Sequence, residues 1–404
     1  MIARRMDAVE ASKLLDLIVQ GQELKRRGVS FVDLGPGQPD FPVPDPILEA
    51  TARALREGYT YYSPVLGMPA LREAVAERYN RLYCGKYTAA NVMITAGAKG
   101  ALYHVIGSHM DAGEEILVPA PYYVSTPQIV KLWGGTPRLV PCRFESGFLP
   151  VLEALEAASG PKTRGIVLNS PCNPTGAVVP RGLLERIVAF AEGRGMFVIL
   201  DECYDRYVYE EGLYATSAHL DPEARRPVFC AGSFSKTFSM TGYRLGWALG
   251  PSAGIAAAGR IQAHSMNGAT TFAQMGGLEA LRREEELFAP VLRDYSVRRE
   301  ALYQGLQSLP GMEARKPDGA FYIFPRVTGL MERLDVGTSD LLATRLLEEA
   351  GVMAIPGSAL GLEGFMRFSF AVPEPRIREA VERIRGLLEP QPGAFRRASG
   401  GGEE

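Results

Sequence analysis

Long apolar runs are the first thing this sequence lacks. No stretch approaches the roughly 20 apolar residues a helix needs to cross a bilayer, and the amino-terminal MIARRMDAVEAS has no apolar core of the kind a secretory leader carries. An excess of one charge is missing too. Lys and Arg number 44 against 46 Asp and Glu, a formal net charge of −2 with both signs scattered, so no footprint for nucleic acid or a membrane surface is present. Cysteine is sparse. Five thiols (Cys84, Cys142, Cys172, Cys203, Cys230), odd in number and without a CxxC pair, argue against a disulfide framework and for a reducing compartment. A cytoplasmic protein with small-molecule partners is expected, and the sequence shows no internal repeat.

At 404 residues the chain exceeds one compact core of ordinary size, so a large domain plus a smaller one is expected. A hydrophobic share of 46% is ample for both. Between about 91 and 250, short apolar runs alternate with amphipathic stretches: VMIT at 92–95, EILVP at 115–119, RLVP at 138–141, GIVL at 165–168, FVILD at 197–201 and VFCAG at 228–232. Continuous Val/Ile/Leu runs separated by helical patterns predict an α/β fold with a mostly parallel sheet covered on both faces. Residues 98–110 carry apolar positions at helical spacing directly after the first of these strands.

Past about 284 the rhythm changes to a second, α+β unit. A charged helical stretch (284–308) is followed by a GAFYIF strand at 319–324, a helix near 338–350, an FMRFSFA strand at 365–371 and a last helix to about Leu388. The turn-rich LGPGQPDFPVPDP (34–46) reads as a crossing between units. The expected division is a large domain over 46–283, a small domain from 1–45 and 284–390, and a disordered tail at 391–404.

Three motifs carry chemistry. NSPCNPTG (Asn169–Gly176) follows the GIVL strand and forms a stiff loop where open α/β sheets place ligands, though it also reads as a plain turn. FVILDECY delivers Asp201 out of a buried apolar run, which is costly unless a cation meets it; a helix cap or a structural ion pair is the plainer reading. GSFSKTFSMTGYR offers that cation in Lys236, with Arg244 and several hydroxyls beside it. Together they point to an anionic, electron-withdrawing cofactor that needs a carboxylate, an amine and a phosphate cradle.

NSPCNPTG, DECY and SFSKTFSMTGYRLG, in this order and spacing, resemble the class I/II aminotransferases, the fold-type I pyridoxal-phosphate enzymes typified by aspartate aminotransferase. The likeness covers the chain from about Arg4 to Leu388. It implies a seven-stranded, mostly parallel sheet in the large domain, and pyridoxal 5'-phosphate as cofactor. Lys236 is similar to the lysine that forms the Schiff base and then serves as general base at Cα, Asp201 to the carboxylate that pairs with the pyridine nitrogen, and Tyr204 to the phenol that hydrogen-bonds the ring oxygen. Asn173 resembles the amide that shares this oxygen and helps hold the substrate carboxylate. Ser233, Ser235 and Arg244 match the phosphate cradle. Gly97, Ala98 and Lys99 match the helix start that points its N–H groups at the same phosphate. Tyr123 sits where the family stacks an aromatic on the ring, and Tyr62 resembles the tyrosine that reaches the phosphate of the other subunit, which implies a homodimer with shared active sites. Arg367, a lone cation in an apolar strand, resembles the clamp for the substrate α-carboxylate, with a structural ion pair as its plainer reading; Gly37 resembles a backbone donor beside it.

Other conspicuous residues get plain readings. His104 and His109, five apart, lack the spacing of a helical metal pair and read as packing. Trp133 and Trp247 read as core, Cys172 and Cys203 as ordinary thiols, and GPGQPD lacks the spacing of a dinucleotide loop. No metal is expected. The resemblance implies transfer of an amino group from an amino acid to a 2-oxo acid. A pyridoxal-phosphate lyase, synthase or cyclase acting on an amino acid is the alternative, since Lys236 and Asp201 would serve it equally. A non-catalytic effector-sensing domain would bring a winged-helix module, which the chain does not show. Substrate choice falls to the distal pocket, where VEASKLL places Glu10 and Lys13; Glu10 stands where some dicarboxylate and prephenate users have a basic residue, which speaks against a simple aspartate assignment.

Overall fold

The computed structural model describes residues 2–10, 30–210, 212–219 and 228–389, with 21, 23, 26 and 28 besides. Lys13 and the expected tail at 391–404 lie outside these residues. Strand β1 (Val32–Asp33) precedes the strands of the main sheet: β2 (Val92–Thr95), β3 (Glu115–Ala120), β4 (Thr136–Pro141), β5 (Thr163–Asn169), β6 (Phe197–Asp201), β7 (Val228–Ser233) and β8 (Gly246–Leu249). They lie in the order β2-β8-β7-β6-β5-β3-β4. β3 to β7 run parallel, and β8 is antiparallel to both of its neighbours. The mostly parallel seven-stranded sheet is thus as expected, and β2, β6 and β8 are buried along their whole length because helices cover both faces.

A second layer gathers around the helix Glu284–Gln307, which opens with three glutamates at the positive end of its dipole. Against it pack Glu374–Leu388 and a three-stranded sheet of β11 (Ile355–Pro356), β12 (Met366–Ser369) and β9 (Tyr322–Ile323), in that order, while β1 pairs with β10 (Val352–Met353). The strand expected at 319–324 is shorter than its apolar pattern. Gly319 and Ala320 donate instead to Gly176 and Tyr207 carbonyls at 2.8 Å, so their backbone is spent on bonding to the first unit. The core of this second unit includes Tyr204 and Tyr207 from the loop after β6, and so reaches directly under the sheet's carboxyl edge.

The two units are also joined by buried charge. Arg78, on the helix Pro69–Tyr83, lies 2.7 Å from Glu284 and 2.6 Å from Asp205, with all three side chains at most 3% exposed. Burial alone would strip the charge from such groups; their mutual pairing holds the Arg78 guanidinium well above its usual range.

Candidate active site

Parallel register brings the motifs together. Asn169 at the end of β5 is level with Asp201 at the end of β6, and Asp201 with Ala231 on β7. Loops that leave three adjacent strands therefore open at one edge, the ligand edge of an open α/β sheet. The NSPCNPTG loop is tied down from its first residue: the Asn173 N–H donates to the Asn169 side chain at 2.6 Å, and Asn169 Nδ2 donates to the Asp201 carbonyl at 3.0 Å.

After β7 the chain turns into a single helical turn, Phe234–Thr237, capped where the Ser233 hydroxyl accepts from the Ser235 N–H at 3.0 Å. This turn projects Lys236, whose Nζ donates to the Gly37 carbonyl and lies 5.9 Å from the Tyr204 ring centre. Burial lowers its pKa to about 8; Arg367 and Arg244 act in the same direction, against the opposing pull of Cys203 and Asp201. A neutral, nucleophilic amine is therefore available near neutrality. Competitive acetylation of cofactor-free protein is expected to label Lys236 with a midpoint near pH 8, against 10.5 for an ordinary lysine; a midpoint near 10.5 would refute the assignment.

Arg244 follows a short turn, Thr241–Tyr243, in the left-handed region at φ 52°. Its guanidinium reaches the start of the helix Gly97–His109, where a Cβ on Gly97 would sit 2.7 Å from it. Gly97 itself has φ +73°, a backbone conformation that demands glycine there. Gly246, opening β8, would press a Cβ to within 2.7 Å of Gly97 and Ala98 backbone. Sheet and helix meet as closely as chains can, and the start of the helix lies beside Arg244, with Ser233 level with Gly246 on the neighbouring strand.

Asp201 is 4% exposed, and burial raises its carboxyl pKa although it accepts from the Cys203 N–H at 3.2 Å and feels Lys236. Arg367, on β12, is 2% exposed; it donates to Asn173 Oδ1 at 2.8 Å and to the Gly35 carbonyl at 2.7 Å, and its Nε has no partner. Among the described residues, no carboxylate is ion-paired with Lys236, Arg244 or Arg367. Arg244 and Arg367 both act on Lys236, so three cations gather where Asp201 is the carboxylate that Lys236 feels, an excess of positive charge.

The remaining expected residues, Tyr204, Tyr123, Gly37 and Tyr62, lie in different surroundings. Tyr204 bonds the Tyr322 hydroxyl at 2.7 Å, and Tyr123 lies at the rim with the exposed Lys99 ammonium 5.9 Å from its ring centre. Gly37 presents its carbonyl, not its N–H, to Lys236. Tyr62 is 89% exposed. The plain readings of His104 and His109 agree with their contacts: His104 bonds Ser265 at 3.1 Å, and His109 packs 4.7 Å from the Phe229 ring. Glu10 is drawn to Lys131 at 2.7 Å, so its charge is answered on the helix Ser125–Leu132.

The profile of the family described as "Aminotransferase class I and II" matches residues 29–384. The chain belongs to the class I and II aminotransferases. A probable aspartate/prephenate aminotransferase of Aquifex aeolicus is 38% identical over 390 residues, 96% of this chain and 98% of that protein. The aspartate aminotransferase of Pyrococcus horikoshii is 36% identical over 96% of this chain and 97% of its own length. Among solved structures, the Thermus thermophilus aspartate aminotransferase with maleate superposes with a TM-score of 0.90 at 36% identity, covering 96% of this chain and all of that one. This aminotransferase therefore has the fold-type I architecture, and its family uses pyridoxal phosphate.

Two contributors to this aminotransferase's site escaped sequence reasoning. Tyr322 touches Tyr204 and lies beneath Arg367, 4.5 Å from its guanidinium carbon. Asp40 accepts from Arg298 at 2.8 Å and so anchors the loop whose Gly35 and Gly37 carbonyls meet the two cations. Both lie in stretches singled out above, GAFYIF and GPGQPDF; what pattern alone could not supply was the partner across the two units.

Proposed function

We propose that this aminotransferase works as a cytoplasmic homodimer, binds pyridoxal 5'-phosphate at the sheet edge, and passes the amino group of aspartate or a similar dicarboxylic amino acid to a 2-oxo acid. The observation that carries the cofactor reading is the gathering of Arg244 and Arg367 around Lys236, with Asp201 as an opposing carboxylate. The bound cofactor supplies an electron sink for the Cα–H bond pair. Lys236 would hold its aldehyde carbon and afterwards move the Cα proton. Asp201 would keep the ring nitrogen protonated, Tyr204 and Asn173 would orient the ring oxygen, and Tyr123 would cover the ring face. Ser233, Ser235, Arg244 and the Gly97–Ala98–Lys99 helix start would bind the phosphate.

Arg367 would grip the α-carboxylate with Asn173, beside the Gly37 loop. For the distal carboxylate, Lys99 offers an exposed ammonium at the rim beside Tyr123, and the Glu10–Lys131 pair removes the objection that Glu10 repels an acidic substrate. The names of the relatives support the same substrate. Tyr62 would complete the partner's phosphate site: Tyr61 and Tyr62, more than 80% exposed, and the half-exposed Leu48 and Leu55 make an apolar surface that a second copy would cover. The domain limits 46–283, and 1–45 with 284–390, belong to this reading and are supported by the separate core around Glu284–Gln307.

The test is a panel of amino acids added to cofactor-loaded protein, with absorbance and oxo-acid product followed together. Aspartate and glutamate should convert the cofactor to pyridoxamine phosphate at least about tenfold more efficiently than alanine, the worth of one good charged contact. Release of ammonia or a side-chain fragment without that conversion would favour the lyase alternative and end the proposal.

A further inference from the structure

Two buried phenols meet beneath the site. Tyr204, from the loop after β6, and Tyr322, from β9 of the second unit, place their hydroxyls 2.7 Å apart at 4% and 0% exposure. A phenol owns a single proton, so a pair of them shares one donor direction at a time. On the reading above, the Tyr204 proton goes to the cofactor's ring oxygen; the bond between the hydroxyls must then run from Tyr322 to Tyr204. The Arg367 guanidinium over the Tyr322 ring draws electron density from that phenol and improves it as a donor.

We infer that Tyr322 is a positioning residue completing a directed donor chain: Arg367 over Tyr322, Tyr322 to Tyr204, Tyr204 to the ring oxygen. Chains of this kind polarise each successive bond, strengthening it by roughly 10–30%. The Tyr204 hydroxyl is thereby fixed in direction and made a stronger donor. Burial pushes Tyr322 up to about 12, so its proton stays in place throughout the working range. The inference rests on the cofactor reading of Tyr204.

The experiment uses the cofactor-loaded protein and reads the pH at which its absorbance changes. A strong donor at the ring oxygen stabilises negative charge there and lowers that pH. Tyr322→Phe keeps the ring under Arg367 and removes one hydroxyl, so the fold should persist, checked by circular dichroism. The colour-change pH is expected to rise by about half a unit, roughly threefold in proton affinity. Tyr204→Phe should raise it further, and the double variant should match Tyr204→Phe, because Tyr322 acts through that residue. A Tyr322→Phe protein that titrates with the parent, or shifts that add in the double variant, would overturn the inference while leaving the cofactor reading intact. A parent that takes up no cofactor, or a Tyr204→Phe protein without a shift, would overturn the reading itself.

Discussion

Lys236→Ala is expected to stay folded, hold no cofactor that borohydride can fix to the chain after loading with pyridoxal phosphate, and lose about four orders of magnitude or more in kcat. No neighbour replaces the amine: Arg244 and Arg367 stay charged, and the buried hydroxyls of Tyr204 and Tyr322 are pushed above their ordinary range. Stability should hold or improve. The burial that lowers the Lys236 pKa is a cost borne by its charged form, with no ion-paired carboxylate among the described residues to offset it. Single-turnover kinetics with aspartate and a thermal melt check both halves. Activity within tenfold of the parent would remove Lys236 from the chemistry.

Arg367→Ala should lower kcat/KM about a thousandfold for every amino acid tried. Two charge-assisted hydrogen bonds to a desolvated carboxylate are worth roughly 4 kcal/mol together. The same change leaves Asn173 Oδ1 and the Gly35 carbonyl without their buried donor, so a loss of stability accompanies it. Arg367→Lys keeps the charge but not the fork that spans Asn173 and Gly35, and should recover only part of the rate. If one amino acid suffered and others did not, Arg367 would face a side chain and not the α-carboxylate.

How much of this was open to reading depends on where each interaction closes. Asp201 and Lys236 were visible because a charge at the end of an apolar strand needs a reason, and the strand register then set Asn169, Asp201 and Ala231 level without further information. Arg367 was visible on the same ground. Tyr322 was not, since a tyrosine among FYIF has ample apolar reason to be there; its hydroxyl acquires meaning only when β9 is laid against the loop after β6. The contact of the Gly37 carbonyl with Lys236 was not legible either, because which backbone group meets which neighbour is a matter of local dihedrals that a Pro-Gly-rich pattern does not determine. The strand at 319–324 was overextended for a related reason: apolar alternation reports burial, while hydrogen bonds to Gly176 and Tyr207 decide how much of it is ladder.

The buried triad of Arg78, Asp205 and Glu284 has a mechanical meaning. Separating it would strand charges that are at most 3% exposed, a loss of about 3–5 kcal/mol when a partner is removed. The first turn of the long helix is therefore pinned to the sheet unit, while the rest of that helix carries the second core. A substitution at Arg78 would therefore strand two buried carboxylates at the joint between the two cores.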